Sequence, residues 1–287
     1  MSEATTETSF FLKHEFAIRR LHSLTGIVPL GLYMCIHLAT NASMLNGVET
    51  FQWAVFMIHA PGKLLPLIEW GFIFLPLIFH ALVGVWIAKT GRTNSSKYDF
   101  TNNRRYSWQR WTGFMALAYL FLHILHLHGW FHAEFWVDSI GHLGLAQFRP
   151  YNAGSTLASA MNIGYGLIWP PIYLVGVLAC VYHFVNGIWT AGITWGLWIS
   201  PTAQQRATRG CVALGIGLTV LSLGAWAGAV FPSEDDVVEM RKIENRMYEN
   251  AKESGMIPTM EHKRYHEGDD HHQANVDEAG SGEDQDN

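Results

Sequence analysis

The chain has 287 residues, 49% of them hydrophobic and only 15% charged, where an ordinary soluble domain carries about 25% charged residues. The formal net charge of −5 hides a split: residues 232–287 hold 16 acidic and 6 basic side chains, and residues 1–231 hold 8 acidic and 13 basic. The missing charge argues against a soluble domain, and Cys35, Cys180 and Cys211 form neither a CxxC pair nor a CxxCH motif, so they read as small apolar packing residues.

The N-terminus, MSEATTETSFFLKHEFAIRR, is polar before it turns basic and lacks a short apolar stretch ending in a small-residue cleavage site, so it is read as retained. A membrane helix needs about 20 mostly apolar residues. Five segments meet that length: 24–45, 65–88, 111–131, 167–194 and 211–231. Pro170 and Pro171 suit the first turn of the fourth, where a missing N–H costs nothing. Beyond them, 235–253 can form a polar helix, and the remaining Gly-, Asp-, Glu- and His-rich residues lack the apolar content to fold. The expected architecture is all-α and integral to the membrane. It has an N-terminal segment (1–23), a bundle of five transmembrane helices (24–231) and an acidic, partly disordered tail (232–287). His262, His266, His271 and His272 in that tail have spacing that fits no specific metal site.

Lys and Arg set the orientation, because cytoplasmic loops carry the excess. The N-terminal segment and the loops after the second and fourth segments hold eleven of them, and the other two loops hold only Lys63 and Arg149. The N-terminus is therefore expected in the cytoplasm and the C-terminus outside. Multi-pass insertion in the cell (inner) membrane is expected, with lipid as the surrounding medium and no nucleic-acid partner indicated.

An ionisable side chain inside a bilayer is by default a functional candidate. Four segments each carry one: His37, His80, His123 and His183. At about 1.5 Å of rise per residue, His37 lies roughly 25 Å from the inner edge and His123 roughly 20 Å. His80 lies roughly 13 Å from that edge, and His183 roughly 18 Å from the outer one. The histidines therefore sort into an outer pair, His37 with His123, and an inner pair, His80 with His183. Two imidazoles at one depth on facing helices are what bis-histidine ligation of a haem iron requires. For any one of them an interhelical hydrogen bond or a proton relay is the competing role. His126, three residues beyond His123, is the rival ligand on the third helix.

A repeat accompanies the pairs. The second segment reads His80-x3-Gly84-x-Trp86 and the fourth His183-x3-Gly187-x-Trp189, and the first and third open with Thr25-Gly26 and Thr112-Gly113. Glycine beside a ligand lets a flat macrocycle approach the backbone, although close packing of membrane helices uses glycine too. His22, next to Arg19 and Arg20, is placed to meet haem propionates or to face water. Glu69, near the outer end of the second segment, is a candidate proton-handling residue. Its plainer role is an interfacial carboxylate.

The stretches RRLHSLTG (19–26), IHL (36–38), FLPLIFHALVGVWIA (74–88), QRWTGF (109–114), YLVGVLACVYHFVNGIW (173–189) and TWG (194–196) occur in an order that resembles the di-haem cytochrome b membrane subunit of succinate dehydrogenases and fumarate reductases. The likeness is to the single-subunit, five-helix class, and it covers about residues 10 to 230. It implies two haems b, with His37, His80, His123 and His183 as axial ligands. It also implies flavoprotein and iron–sulfur partner subunits on the cytoplasmic face, and a membrane quinone, commonly menaquinone in this class. Dicarboxylate chemistry would belong to the partner, with no such active site on this chain. Some fumarate reductase members carry a glutamate two residues before the fourth-helix ligand, where this chain has Val181. The competing expectations are the di-haem cytochrome b of a hydrogenase, formate dehydrogenase or nitrate reductase, and a haem-free membrane anchor or transporter.

Overall fold

A computed structural model of the chain describes residues 13–91, 101–130, 134–141, 143–162, 166–260 and 263–265, and all regular structure among them is helical. Five helical stretches are long and apolar enough to cross a membrane: Glu15–Asn46, Gly62–Thr90, Asn103–His128, Trp169–Thr194 and Pro201–Val230. Large apolar side chains on them, including Leu67, Leu82, Trp111 and Val220, are exposed. That is ordinary for helices whose solvent is hydrocarbon.

The predicted spans are recovered, and four of them begin earlier than hydropathy indicates. The helices run on through polar turns, because the hydrogen-bonded ladder does not stop where the bilayer does. Arg104, Arg105, Arg110, Arg206 and Arg209, expected in loops, stand on helices. The N-terminal segment expected to end at 23 is helical from Glu15 onward. Tail histidines 262, 266, 271 and 272 lie outside the described residues.

The chain forms two compact units. The first comprises residues up to His37 together with Pro66–Leu117 and Gly176–Val220. It contains α1 (Glu15–Ile27), the start of α2 (Leu30–Ala42), the end of α4 (Leu65–Glu69) and α5 (Leu75–Thr90). It also contains the beginning of α6 (Thr101–His123), most of α9 (Trp169–Thr194) and the first two thirds of α10 (Pro201–Val230). α1 packs on α5. A π-helical turn, Trp70–Phe74, separates α4 from α5. Glycines set the closest approaches: a β-carbon at Gly31 would collide with the Phe184 ring, and one at Gly192 with the Trp198 ring.

The second unit comprises Leu38–Leu65, Ala118–Val175 and the chain from Leu221 onward. It includes helices that hydropathy alone did not reveal or placed wrongly. α3 (Val48–His59) and α8 (Ala153–Asn162) lie in stretches expected to be loops, as does the short α7 (Glu134–Gly141). α11 (Glu234–Glu253) was expected to be a solvated polar helix. Instead it buries Val237, Glu244, Tyr248 and Ala251, positions that recur on one face of a helix. Ser233 opens it with a capping box closed by Asp236. Phe51, Val55, Leu157, Met161 and Val237 form one core. Phe56, Tyr151, Tyr248, Ala251 and Ile257 form another. Tail residues expected to be unfolded take part: Tyr151 donates its hydroxyl to the Pro258 carbonyl (2.9 Å), and the Tyr265 N–H donates to Asn152 Oδ1 (3.0 Å).

α8 is buried along most of its length, and a buried helix start must find acceptors for its free N–H groups. The Glu244 carboxylate supplies them, accepting from Gly154 N (2.6 Å), Ser155 N (3.2 Å) and Ser155 Oγ (2.5 Å). Burial pushes the Glu244 carboxyl up to about 7, against the Ser155 and Gly154 donors and the Arg241 charge that favour the anion. Gln52 bridges the same region, donating to the Pro150 carbonyl (2.8 Å) and accepting from Ala153 N (2.8 Å).

Candidate functional site

The first unit brings seven of the singled-out residues together: His22, Gly26, His80, Gly84, Gly113, His183 and Gly187. The rings of His80 on α5 and His183 on α9 are 6.1 Å apart between centroids, with planes at 90°. Two imidazoles bound on opposite sides of one metal through bonds of about 2 Å would have centroids about 6 Å apart. His80 and His183 are thus close enough that the two side chains would be able to hold one metal ion between them.

Each ring is held by its other nitrogen. His80 Nδ1 lies 3.0 Å from the carbonyl of His22, and His183 Nδ1 lies 3.0 Å from the carbonyl of Gln109. With the proton on Nδ1 donated to a carbonyl, Nε2 carries the lone pair. This is the tautomer a metal ligand needs, and the hydrogen bond raises its basicity.

The two anchoring carbonyls are equivalent. His22 stands four residues before Gly26, and Gln109 four before Gly113. A β-carbon at Gly26 would lie 2.5 Å from His80 Cε1, and one at Gly113 would lie 2.9 Å from His183 Cε1. Each Thr-Gly motif is therefore the wall against which one imidazole rests, so glycine is required there. One turn past each histidine, a β-carbon at Gly84 would meet His22 Cε1 at 3.2 Å, and one at Gly187 would meet Gln109 Nε2 at 3.4 Å. An arginine completes each half: Arg19 lies over the Trp86 ring at 5.1 Å, and Arg105 over the Trp189 ring at 3.7 Å. The sequence repeat is thus a repeat in space.

Gln109, Arg105 and Asn186 were missed by sequence reading. Aligning the two Thr-Gly motifs would have found Gln109, because it occupies the register of His22. Nothing comparable marks Asn186. His22 itself lies flat on His80, with centroids 4.0 Å apart and planes 19° from parallel.

His37 is the last residue of the first unit's opening segment, with its ring 5.5 Å from that of Tyr33. Glu69 is half-buried at the end of α4, directly before the π-helical turn. His123 belongs to the second unit, between the rings of Tyr119 (5.6 Å) and Tyr173 (5.5 Å). Its rival, His126, follows within a second π-helical turn, Ile124–His128. His126 is fully buried, stacks on Trp169 at 3.6 Å, and has Nδ1 2.9 Å from the Tyr173 hydroxyl. Such π-helical turns occur often at functional sites.

No protein-family model matches the chain. The succinate dehydrogenase cytochrome b558 subunit of Bacillus subtilis (strain 168) is 32% identical to it over 212 residues, which is 74% of this chain and 95% of that protein. With five membrane-capable helices and that similarity, the chain belongs to the family of succinate dehydrogenase cytochrome b subunits and is a multi-pass membrane protein.

Proposed function

We propose that the chain is the membrane anchor of a succinate:quinone oxidoreductase and carries electrons between the iron–sulfur subunit and a membrane quinone, menaquinone by family resemblance, through two bis-histidine haems b. The observation that carries this reading is the His80–His183 pair, with rings 6.1 Å apart and both Nδ1 atoms tied to backbone carbonyls of other helices. The residues present fit the group: the donor set leaves two Nε2 lone pairs, and Gly26 and Gly113 keep the walls flat. Haem held there supplies reversible one-electron redox chemistry with no open coordination position. The protein's part is to exclude water, fix the two rings and set the local charge.

His37 and His123 are the proposed ligands of the second haem, on the strength of their depth in the sequence. The basic N-terminal turns and the arginines of α6 and α10 would face the cytoplasm and receive the flavoprotein and iron–sulfur partners. Glu69 is proposed to handle protons for the quinone. The acidic tail, 232–287, would lie on the opposite side.

The test is a dithionite-reduced minus oxidised spectrum of the purified protein, with haem quantified per polypeptide, repeated for His80→Ala and His123→Ala. Two b-type haems, with one lost in each variant, is the expected result. A well-folded protein without haem overturns the electron-transfer reading.

A further inference from the structure

The two halves of the repeat match in their glycines, tryptophans, arginines and anchoring carbonyls, but they differ in one polar ladder. Asn186, three residues after His183, is 3% exposed. Its Oδ1 accepts from Arg105 Nε (3.0 Å), and its Nδ2 donates to Gln109 Oε1 (2.7 Å) and to the Arg105 carbonyl (3.3 Å). Gln109 Nε2 in turn donates to the His183 carbonyl (3.0 Å) and sits 3.2 Å from His183 Nδ1. Arg105 is pinned at its far end by Trp189 and by Thr208 Oγ1 on α10 (3.3 Å). In the other half, the position three after His80 is the buried Val83, and His22 stands where Gln109 stands. No such ladder can form there.

We infer that Asn186 is a positioning residue: through Gln109 it fixes the His183 imidazole, a side-chain support with no counterpart of its kind at His80. This rests on the reading of His183 as an axial ligand. The physical chain is short. Asn186 orients the Gln109 carboxamide, because a part-buried amide oxygen that loses its donor is costly and will turn to find another. The oriented Gln109 keeps its own backbone carbonyl and the His183 ring in register, which preserves the Nδ1–H···O=C bond. That bond raises the donor strength of Nε2 and favours the ferric iron. Loss of the ladder weakens it and raises the midpoint potential of the inner haem alone.

The experiment is a potentiometric titration of both haems, with low-temperature EPR of the ferric signals, in the intact complex carrying Asn186→Leu or Gln109→Leu. The expected result is two haems per complex, an upward shift of the inner-haem potential with an altered inner-haem EPR signal, and an unchanged outer haem. Should Asn186→Leu fail to assemble, Gln109→Leu, which leaves Arg105 and Asn186 intact, decides by the same readout. Two haems with both potentials unmoved, or a shift confined to the outer haem, overturns the inference. His183→Ala run in parallel separates the two questions: if it retains both haems, the ligand assignment fails, whatever Asn186 does.

Discussion

His22 lies parallel on His80, with ring centroids 4.0 Å apart, while its own carbonyl accepts from the Nδ1 of that same ring. One residue therefore holds His80 twice, through its backbone and through its side chain, and only the second contact can be removed by substitution. His22→Ala is expected to keep both haems and to alter only the spectrum of the inner one. Quantitation of haem and the α-band of the reduced protein check this. Loss of a whole haem would show that the side chain is indispensable to the site.

The glycines that touch imidazole are expected to tolerate no side chain. Gly26→Val and Gly113→Val place β-carbons where His80 and His183 now lie, at 2.5 and 2.9 Å. Each is expected to lose the inner haem. A β-carbon added at Gly217 would meet nothing within 4 Å, so Gly217→Ala is the matched control and should bind both. The pyridine haemochrome assay reads all three.

Glu244 makes the docking of the tail pH-dependent. Its carboxyl titrates at about 7 in the fold and near 4.5 when free. The folded state thus holds a proton that the unfolded chain releases between those values. The contribution of Glu244 to stability is greatest below about 4.5 and is lost as pH rises toward about 7. Tail clipping by a protease in detergent should accelerate across this window in the native protein. In Glu244→Gln, which keeps an acceptor for Gly154 and Ser155, the rate should be flat. An unchanged pH profile in the variant would assign the effect to another group.

Tyr248, on α11, is fully buried, with its ring 5.2 Å from that of Tyr151. Tyr248→Ala is expected to cost about 3–5 kcal/mol in the second unit. It should expose the tail to proteolysis at pH values where the native chain resists. Spectra of the inner haem should not change.

Glu69→Gln is expected to slow quinone turnover on the order of 10²-fold and to flatten its dependence on pH, the range typical of a lost acid–base group. Turnover and pH profile equal to native would leave Glu69 an interfacial carboxylate.

The five spans were legible because a bilayer imposes a length and a polarity on any crossing helix, and depth counting placed His80 and His183 at a similar level. Their rings are indeed neighbours. Gln109 and Asn186 were not legible in the same way. An amide is cheap enough to sit in many environments, and its role depends on which partner the fold places opposite it. α8 shows the same limit more strongly. Nothing within its ten residues declares that it is buried, because its first turn is satisfied by a carboxylate from far along the chain. α11 misled for the converse reason: its average composition is polar, and only the recurrence of Val237, Glu244, Tyr248 and Ala251 on one side reveals a docking face.

That carboxylate has a consequence for biosynthesis. Glu244 follows the last of the five membrane-capable helices, so α8 emerges from the ribosome long before its capping group exists. Until synthesis passes Glu244, the Gly154 and Ser155 N–H groups lack the acceptor they use in the finished fold, and the apolar face that meets Val237 is bare. The tail is a latch that closes only once Glu244 has been made. A chain stalled or cut short of it would present an open second unit to proteases, and the cell could discard it before partner subunits are committed.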